Sequence, residues 1–197
     1  MPLGEALLGR ALTLEDYAWG AAFVTDLVNT VAGLRAGDTL TSAGELEALL
    51  ARHDGTDAAG GLADADVRAV RAVRARLYAV IEERDDHRAV AALDALLEGP
   101  RHAVGLAERP GGSGWSWSVT VPPAAPLAER LQAIGAVSLL GVVKALGTDR
   151  FRACSAPDCS GVFVDTTRAG RRKYCQPAVC GNRQNVAAYR ARLSQAP

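Results

Sequence analysis

Four side chains in this sequence stand out for the chemistry they could do, and all four are cysteines near its C-terminal end. Cys154 and Cys159 have four residues between them, Cys175 and Cys180 also have four, and fifteen residues separate the pairs. A thiolate is a soft anionic ligand. Two short-spaced pairs at this distance can bring four sulfurs to one tetrahedral zinc ion, two from each tight turn. The competing readings are two disulfides or four unrelated buried thiols. Disulfides suit a secreted chain, and nothing in the sequence marks secretion. Four thiolates would leave no coordination position for water or substrate, so the ion reads as a single structural Zn2+ with no catalytic role.

The elements around the cysteines read as knuckle, hairpin, knuckle and helix. Gly161-Val162-Phe163-Val164 is a short β-prone run, and Arg171-Arg172-Lys173-Tyr174 is expected to return antiparallel to it across a turn from Asp165 to Gly170. Around and after Cys180 the residues Val179, Val186, Tyr189 and Leu193 share one helical stripe, which Arg183 and Arg190 flank. That order describes a treble-clef-like finger. Such a segment is too short to build its own core, and the metal would hold it together.

Cys180-Gly181-Asn182-Arg183, preceded by Cys175 and followed by a basic helix, resembles the CGNR-type zinc finger. That finger terminates a family of bacterial proteins described as stress-induced transcriptional regulators. The family pairs it with a helical N-terminal domain called ABATE, whose start carries a motif of the form Leu-Asp-Phe-Val-Asn-Thr. The corresponding stretch is Thr25-Asp26-Leu27-Val28-Asn29-Thr30, with Leu27 where the family usually has Phe. Tyr174 stands where the finger usually has Trp. The resemblance implies a DNA-binding regulator with no specified target.

Charge is divided along the chain. The 22 basic and 22 acidic residues cancel overall, but nine basic and only two acidic residues lie from Arg150 onward, a formal +7 against −7 for the first 149 residues. A zinc ion with four thiolates would lower the C-terminal excess to about +5. The basic end is the natural place for a polyanion, and the acidic end would repel one. The start, Met1-Pro2-Leu3-Gly4-Glu5, has no basic leader region, and the longest uncharged apolar-rich run, Leu131 to Val143, has thirteen residues. A membrane span needs roughly 18. The expectation is a cytoplasmic protein without a membrane segment.

The elements before the finger are mainly helical. A first helix is expected from Thr13 to Leu34, with Trp19, Phe23, Leu27 and Val31 on its buried stripe. Asp26 and Asn29 within it are expected on the solvent face or bonded to a neighbouring loop. Ser42-Ala43-Gly44-Glu45 has the form of a capping box opening a short helix. A third helix runs from about Asp64 to Glu83, its Arg68, Arg71, Arg74 and Arg76 expected in exposed pairs with acids, and a fourth begins at Asp85-Asp86. Trp115 to Val121 alternates as a strand, with Ala103 to Ala107 as its hairpin partner. Leu127 to Leu146, apolar around most of its circumference, is expected as the central helix. His53, His87 and His102 are expected at the surface.

The fold class is therefore mainly α: a helical domain with one β-hairpin at 1–148 and a zinc finger at 149–197, packed together across a short junction. No phosphate loop, nucleophile elbow or carboxylate–histidine set is present, so no enzyme is expected. The leading function is a DNA-binding transcriptional regulator. Its candidate nucleic-acid contacts are Arg171, Arg172, Lys173, Arg183 and Arg190. A single finger helix contacts few base pairs, so a homodimer or a protein partner would supply specificity. The alternative is a zinc-stabilised protein-interaction module, and a ligand-sensing helical domain is compatible with either.

Overall fold

The computed structural model describes residues 17–31, 37–53, 61–99, 101–108, 115–122 and 124–194. Helix α1 spans Tyr17–Val28 and buries Ala21, Phe23, Val24, Leu27 and Val28. It stops earlier than the apolar stripe suggests. The Thr30 hydroxyl and amide both donate to the Leu27 carbonyl, at 2.7 and 3.1 Å, which closes the last turn. Val31 then leaves the stripe and is 40% exposed. The expected cap Thr13 and the helix-breaking Gly33 lie outside the described residues.

Helix α2, Ala43–Ala51, starts at the expected capping box, with Ser42 accepting from the Glu45 amide and Glu45 returning to the Ser42 amide. Helix α3 spans Asp64–Glu82 and α4 Asp86–Leu97, the latter capped by the Asp85 carboxylate on the Arg88 amide. Strands β1, Ala103–Glu108, and β2, Trp115–Thr120, form an antiparallel pair running from Ala103 opposite Thr120 to Glu108 opposite Trp115. The intervening turn and the tryptophan side chains lie outside the described residues. Helix α5, Leu127–Leu146, is buried without interruption from Arg130 to Leu139 and packs on α1, α3 and α4. Its approach to α1 is close enough to require glycine: a β-carbon at Gly20 would fall 1.9 Å from Ser138 Oγ. No described helix is long and apolar enough to cross a membrane.

A 3-10 turn, Thr148–Arg150, leads into strand β3, Phe151–Ala153, which pairs antiparallel with β4, Val162–Val164. This corrects the expected hairpin. The run from Arg171 to Tyr174 is not a strand and bonds the first knuckle instead, through the Ser155 amide on the Lys173 carbonyl at 2.8 Å. Strand alternation divides β4 between two apolar clusters. Val162 and Val164, with Phe151, belong to the core built by the helices. Phe163 belongs to a second cluster with Ala156, Cys175 and Cys180. Helix α6, Asn182–Ser194, follows a π-helical turn at Pro177–Gly181 and packs mainly on that turn.

His53 and Arg74 are more deeply placed than the sequence suggests. His53 is 9% exposed, not a surface residue: its Nε2 lies 2.9 Å from Asp26 Oδ2 and its ring meets Phe23 edge-on. Arg74 is 5% exposed. Its two Nη atoms bond the Asp38 carboxylate at 2.7 and 2.6 Å, Nη1 also donates to Thr30 Oγ1, and Arg71 adds a 2.9 Å ion pair. The bidentate geometry ties α3 to the segment after α1.

The Arg74 hydrogen bond is the main reason that Asp38 is held at about 2, below its ordinary 3.8. Burial opposes it, while the Leu40 amide and the charges of Arg74 and Arg71 assist. A depressed acid stabilises the fold above its unfolded-state value and loses that contribution as pH falls through the folded one. Asp38→Asn should destabilise the protein by roughly 3 kcal/mol at neutral pH, because Arg74 is left buried and unpaired. Thermal melts between pH 5 and 2 should then show a shallower acid loss for Asp38→Asn than for the native chain. Parallel pH profiles would refute the assignment.

Candidate metal centre and basic surface

The four cysteines are brought to one point by two turns built differently. The first is the knuckle between β3 and β4, closed by the Cys154 amide on the Gly161 carbonyl and by the Cys159 amide on the Ala156 carbonyl. The second is the π-helical turn, in which the Cys180 amide bonds the Gln176 carbonyl and places Cys180 just ahead of α6. The sulfur atoms all lie within 4.8 Å of one another. Cys159 and Cys175 are separated by 3.6 Å, Cys175 and Cys180 by 3.7 Å, and Cys180 and Cys159 by 3.9 Å. A tetrahedron with zinc–sulfur bonds of about 2.3 Å has edges of about 3.8 Å. A disulfide would need sulfurs about 2.05 Å apart, and all four cysteines are free thiols.

The surroundings also suit thiolates. The Gly161 amide donates to Cys159 Sγ at 3.3 Å and the Cys175 amide to Cys154 Sγ at 3.5 Å. Glycine is required at 161, because a β-carbon there would come 2.6 Å from Cys175 Sγ and 3.1 Å from Cys159 Sγ. Burial pushes the thiols of Cys175 and Cys180 up, so without metal they hold their protons. At Cys154 burial acts the same way but is outweighed by the amides of Ala156 and Cys175, and the thiol is lowered. Zinc must therefore displace protons to bind. The donor set fits a single structural zinc, held by Cys154, Cys159, Cys175 and Cys180.

The five candidate nucleic-acid residues do not form one set. Arg171, Lys173, Arg183 and Arg190 are exposed. Arg172, expected to face outward with them, instead turns in and supports the finger's backbone. Its Nε donates to the Tyr174 carbonyl at 2.9 Å, Nη2 donates to the Cys175 carbonyl, and the guanidinium stacks 4.8 Å over the Phe163 ring. Arg150 and Arg152 also turn inward. Arg150 Nη1 bonds the carbonyls of Asp165 and Thr167, and Arg152 Nη1 bonds the Gly170 carbonyl. They brace the Asp165–Gly170 turn, whose hub is the fully buried Asp165 carboxylate. Burial alone would raise that carboxyl, but bonds from Thr167 and the Arg172 amide, with the Arg152 charge, hold it low. Asn182 Nδ2 bonds the Ala178 carbonyl at 2.8 Å and so joins the π-helical turn to α6.

Sequence reasoning did not name the groups that dock the finger on the helices, and for Asn29 it left open the solvent face or a bond to a neighbouring loop. Thr25 Oγ1 accepts from the Val164 amide at 3.1 Å, and Asn29 Nδ2 donates to the Val162 carbonyl at 2.6 Å. Tyr78 donates to the Ser160 carbonyl at 2.8 Å and Arg84 to the Phe151 carbonyl at 3.1 Å. The signal that could have found them is the spacing of Thr25 and Asn29, four apart on one helical face.

A helical domain that ends in a four-cysteine finger defines the class of protein. Residues 21–142 match the family model ABATE, "Putative stress-induced transcription regulator", and residues 150–193 match the CGNR zinc finger. The chain belongs to the ABATE family, with the CGNR finger in its C-terminal position. No curated protein matches the chain.

Loss of one ligand should remove the metal and unfold the finger, since zinc binding to such segments contributes roughly 10–16 kcal/mol. For Cys175→Ser and Cys180→Ser we expect less than one bound zinc per chain by elemental analysis and reduced helicity by circular dichroism. Full retention of both in either variant would overturn the assignment.

Proposed function

We propose that this protein is a DNA-binding transcription regulator, non-enzymatic, in which the zinc-held turn presents α6 to the duplex. The observation that carries this reading is the character of α6. Arg183, Arg190 and Arg192 are exposed on it, and Asn182–Ser194 contains no acidic residue. Arg171 and Lys173, exposed just before the second cysteine pair, extend the positive surface. Phosphate contacts from such side chains set affinity and register, and base contacts set specificity. The acidic helical domain would face away from the polyanion and receive the signal or the partner.

A second reading has one observation in its favour. Val186, Tyr189 and Leu193 are 47%, 57% and 58% exposed on α6, a stripe that an acidic protein partner could cover. Competition separates the two readings, since a protein partner would not discriminate among duplexes.

The decisive measurement is binding of the zinc-loaded protein to a random duplex and to the duplex upstream of its own gene, across a salt series. The regulator reading expects salt-sensitive binding with preference for the upstream duplex, and absence of binding at low salt would reject it. Arg183→Ala combined with Arg190→Ala should flatten the slope of log K against log salt by about two. An unchanged slope would remove both arginines from the interface.

A further inference from the structure

Asn29 is placed at an unusual point. Its Nδ2 donates to two backbone carbonyls at 2.6 Å, those of Thr25 in its own helix and Val162 in β4. Both contacts demand the NH2 group, which fixes the orientation of the amide. The opposite end, Oδ1, is buried and has no hydrogen-bond partner. It points at Gly161, where a β-carbon would lie 2.5 Å from it, 2.6 Å from Cys175 Sγ and 3.1 Å from Cys159 Sγ. One carboxamide from the helical domain thus shares a single small space with two of the four metal-binding sulfurs. A buried acceptor left unpaired costs about 1–3 kcal/mol, so an explanation is called for.

We infer that Asn29 is a positioning residue for the zinc site. It walls the space beside Cys159 and Cys175 against water and holds the backbone carbonyl next to Gly161, so that zinc retention depends on helix α1. The Val162 bond fixes the end of the first knuckle, while the oxygen fills the space that Gly161 leaves open. A leucine could fill that space but could not hold Val162, and a serine could donate but would not fill it. Groups just outside a metal's ligands orient those ligands and control solvent access. Thr25 supplies an internal control. It makes the neighbouring bond to β4, at Val164, but is not among the atoms nearest Gly161.

The linkage must be reciprocal. If Asn29 favours the zinc-loaded knuckle, zinc removal weakens the docking of α1 on β4. The inference rests on the zinc assignment alone and is independent of DNA binding.

The test is zinc release from the full-length, zinc-loaded protein to an excess of a chromogenic chelator, followed by absorbance. Asn29→Ala should release zinc about 10–100-fold faster than the native chain, the affinity loss typical of removing a group that supports metal ligands being carried by the off-rate. Thr25→Val, which removes one docking bond without opening the metal's surroundings, should change the rate less than threefold. Asn29→Ser can still bond the Thr25 carbonyl within the helix, so it provides a variant with α1 intact if the alanine protein folds poorly. Its release should also be accelerated. Native release rates in both Asn29 variants would overturn the inference. Equal acceleration by Thr25→Val would also overturn it, by showing that general loosening of the docked finger suffices.

Discussion

The structure depends on one three-residue strand. β4 has only Val162, Phe163 and Val164, yet every direction around it is used. Its faces divide between two apolar clusters, with the valines toward the helices and Phe163 toward the cysteines. Along one edge it pairs with β3, continued by the Asp165 amide on the Arg150 carbonyl. Along the other edge Thr25 and Asn29 take the places of a third strand. Four helical residues advance about 6 Å, and two strand residues advance about 6.7 Å. A pair of side chains one turn apart can therefore meet the amide of Val164 and the carbonyl of Val162. An exposed edge that would otherwise invite pairing with another chain is closed by a helix. The finger is accordingly built into the main body, and Phe151, Val162 and Val164 would lose their core if it swung away.

Positive charge in the finger is divided in the same way between holding the fold and facing outward. Sequence counting places nine basic residues from Arg150 onward, but three of them serve the finger's own backbone. Arg150, Arg152 and Arg172 donate to carbonyls around the Asp165 turn and the third cysteine. A planar guanidinium suits this work because it can satisfy two or three carbonyls in one plane while stacking on an aromatic ring, as Arg172 does on Phe163. Their charge still contributes to the positive field of the finger. The other six, Arg168, Arg171, Lys173, Arg183, Arg190 and Arg192, are exposed. Neutralising an inward arginine and an outward one would therefore have different consequences. The first would disturb the fold of the finger, and the second only its surface charge.

Much of this is legible in the sequence, where local rules decide the outcome. The cysteine spacing identifies the metal centre because two tight turns leave few ways to arrange four thiolates. Ser42 and Glu45 announce a capping box, and the sequence limits of α5 coincide with its observed ends because its apolar surround, Pro126 and Gly147 agree. The misreadings arise where a partner distant in sequence decides. Nothing near Arg171-Arg172-Lys173-Tyr174 reveals that β4 will pair with β3, on the far side of the first knuckle, and not with the run beyond Gly170. His53 looks like a loop histidine until Asp26 and Phe23, 27 and 30 positions away, surround it. Asn29 looks like a polar interruption of an apolar helix. Its acceptor lies 133 residues away, a distance at which no periodicity carries information.

Helix α6 shows what the metal contributes beyond closing a loop. It has thirteen residues, and isolated helices of about that length are marginal in water because the first turn is costly to form. Its exposed Val186, Tyr189 and Leu193 show that burial of an apolar stripe does not hold it. The turn before it is fixed instead, since Cys180 is both a member of the sulfur cluster and part of the π-helical segment that runs into Asn182. Fixing that turn supplies the nucleus, and the helix propagates from it at little further cost. The arrangement leaves the helix free of the body on its outer faces, with its arginines and apolar side chains available together. A helix nucleated by metal and not by packing can offer its whole outer circumference to a partner, and here that surface depends on the same four sulfurs that Asn29 adjoins.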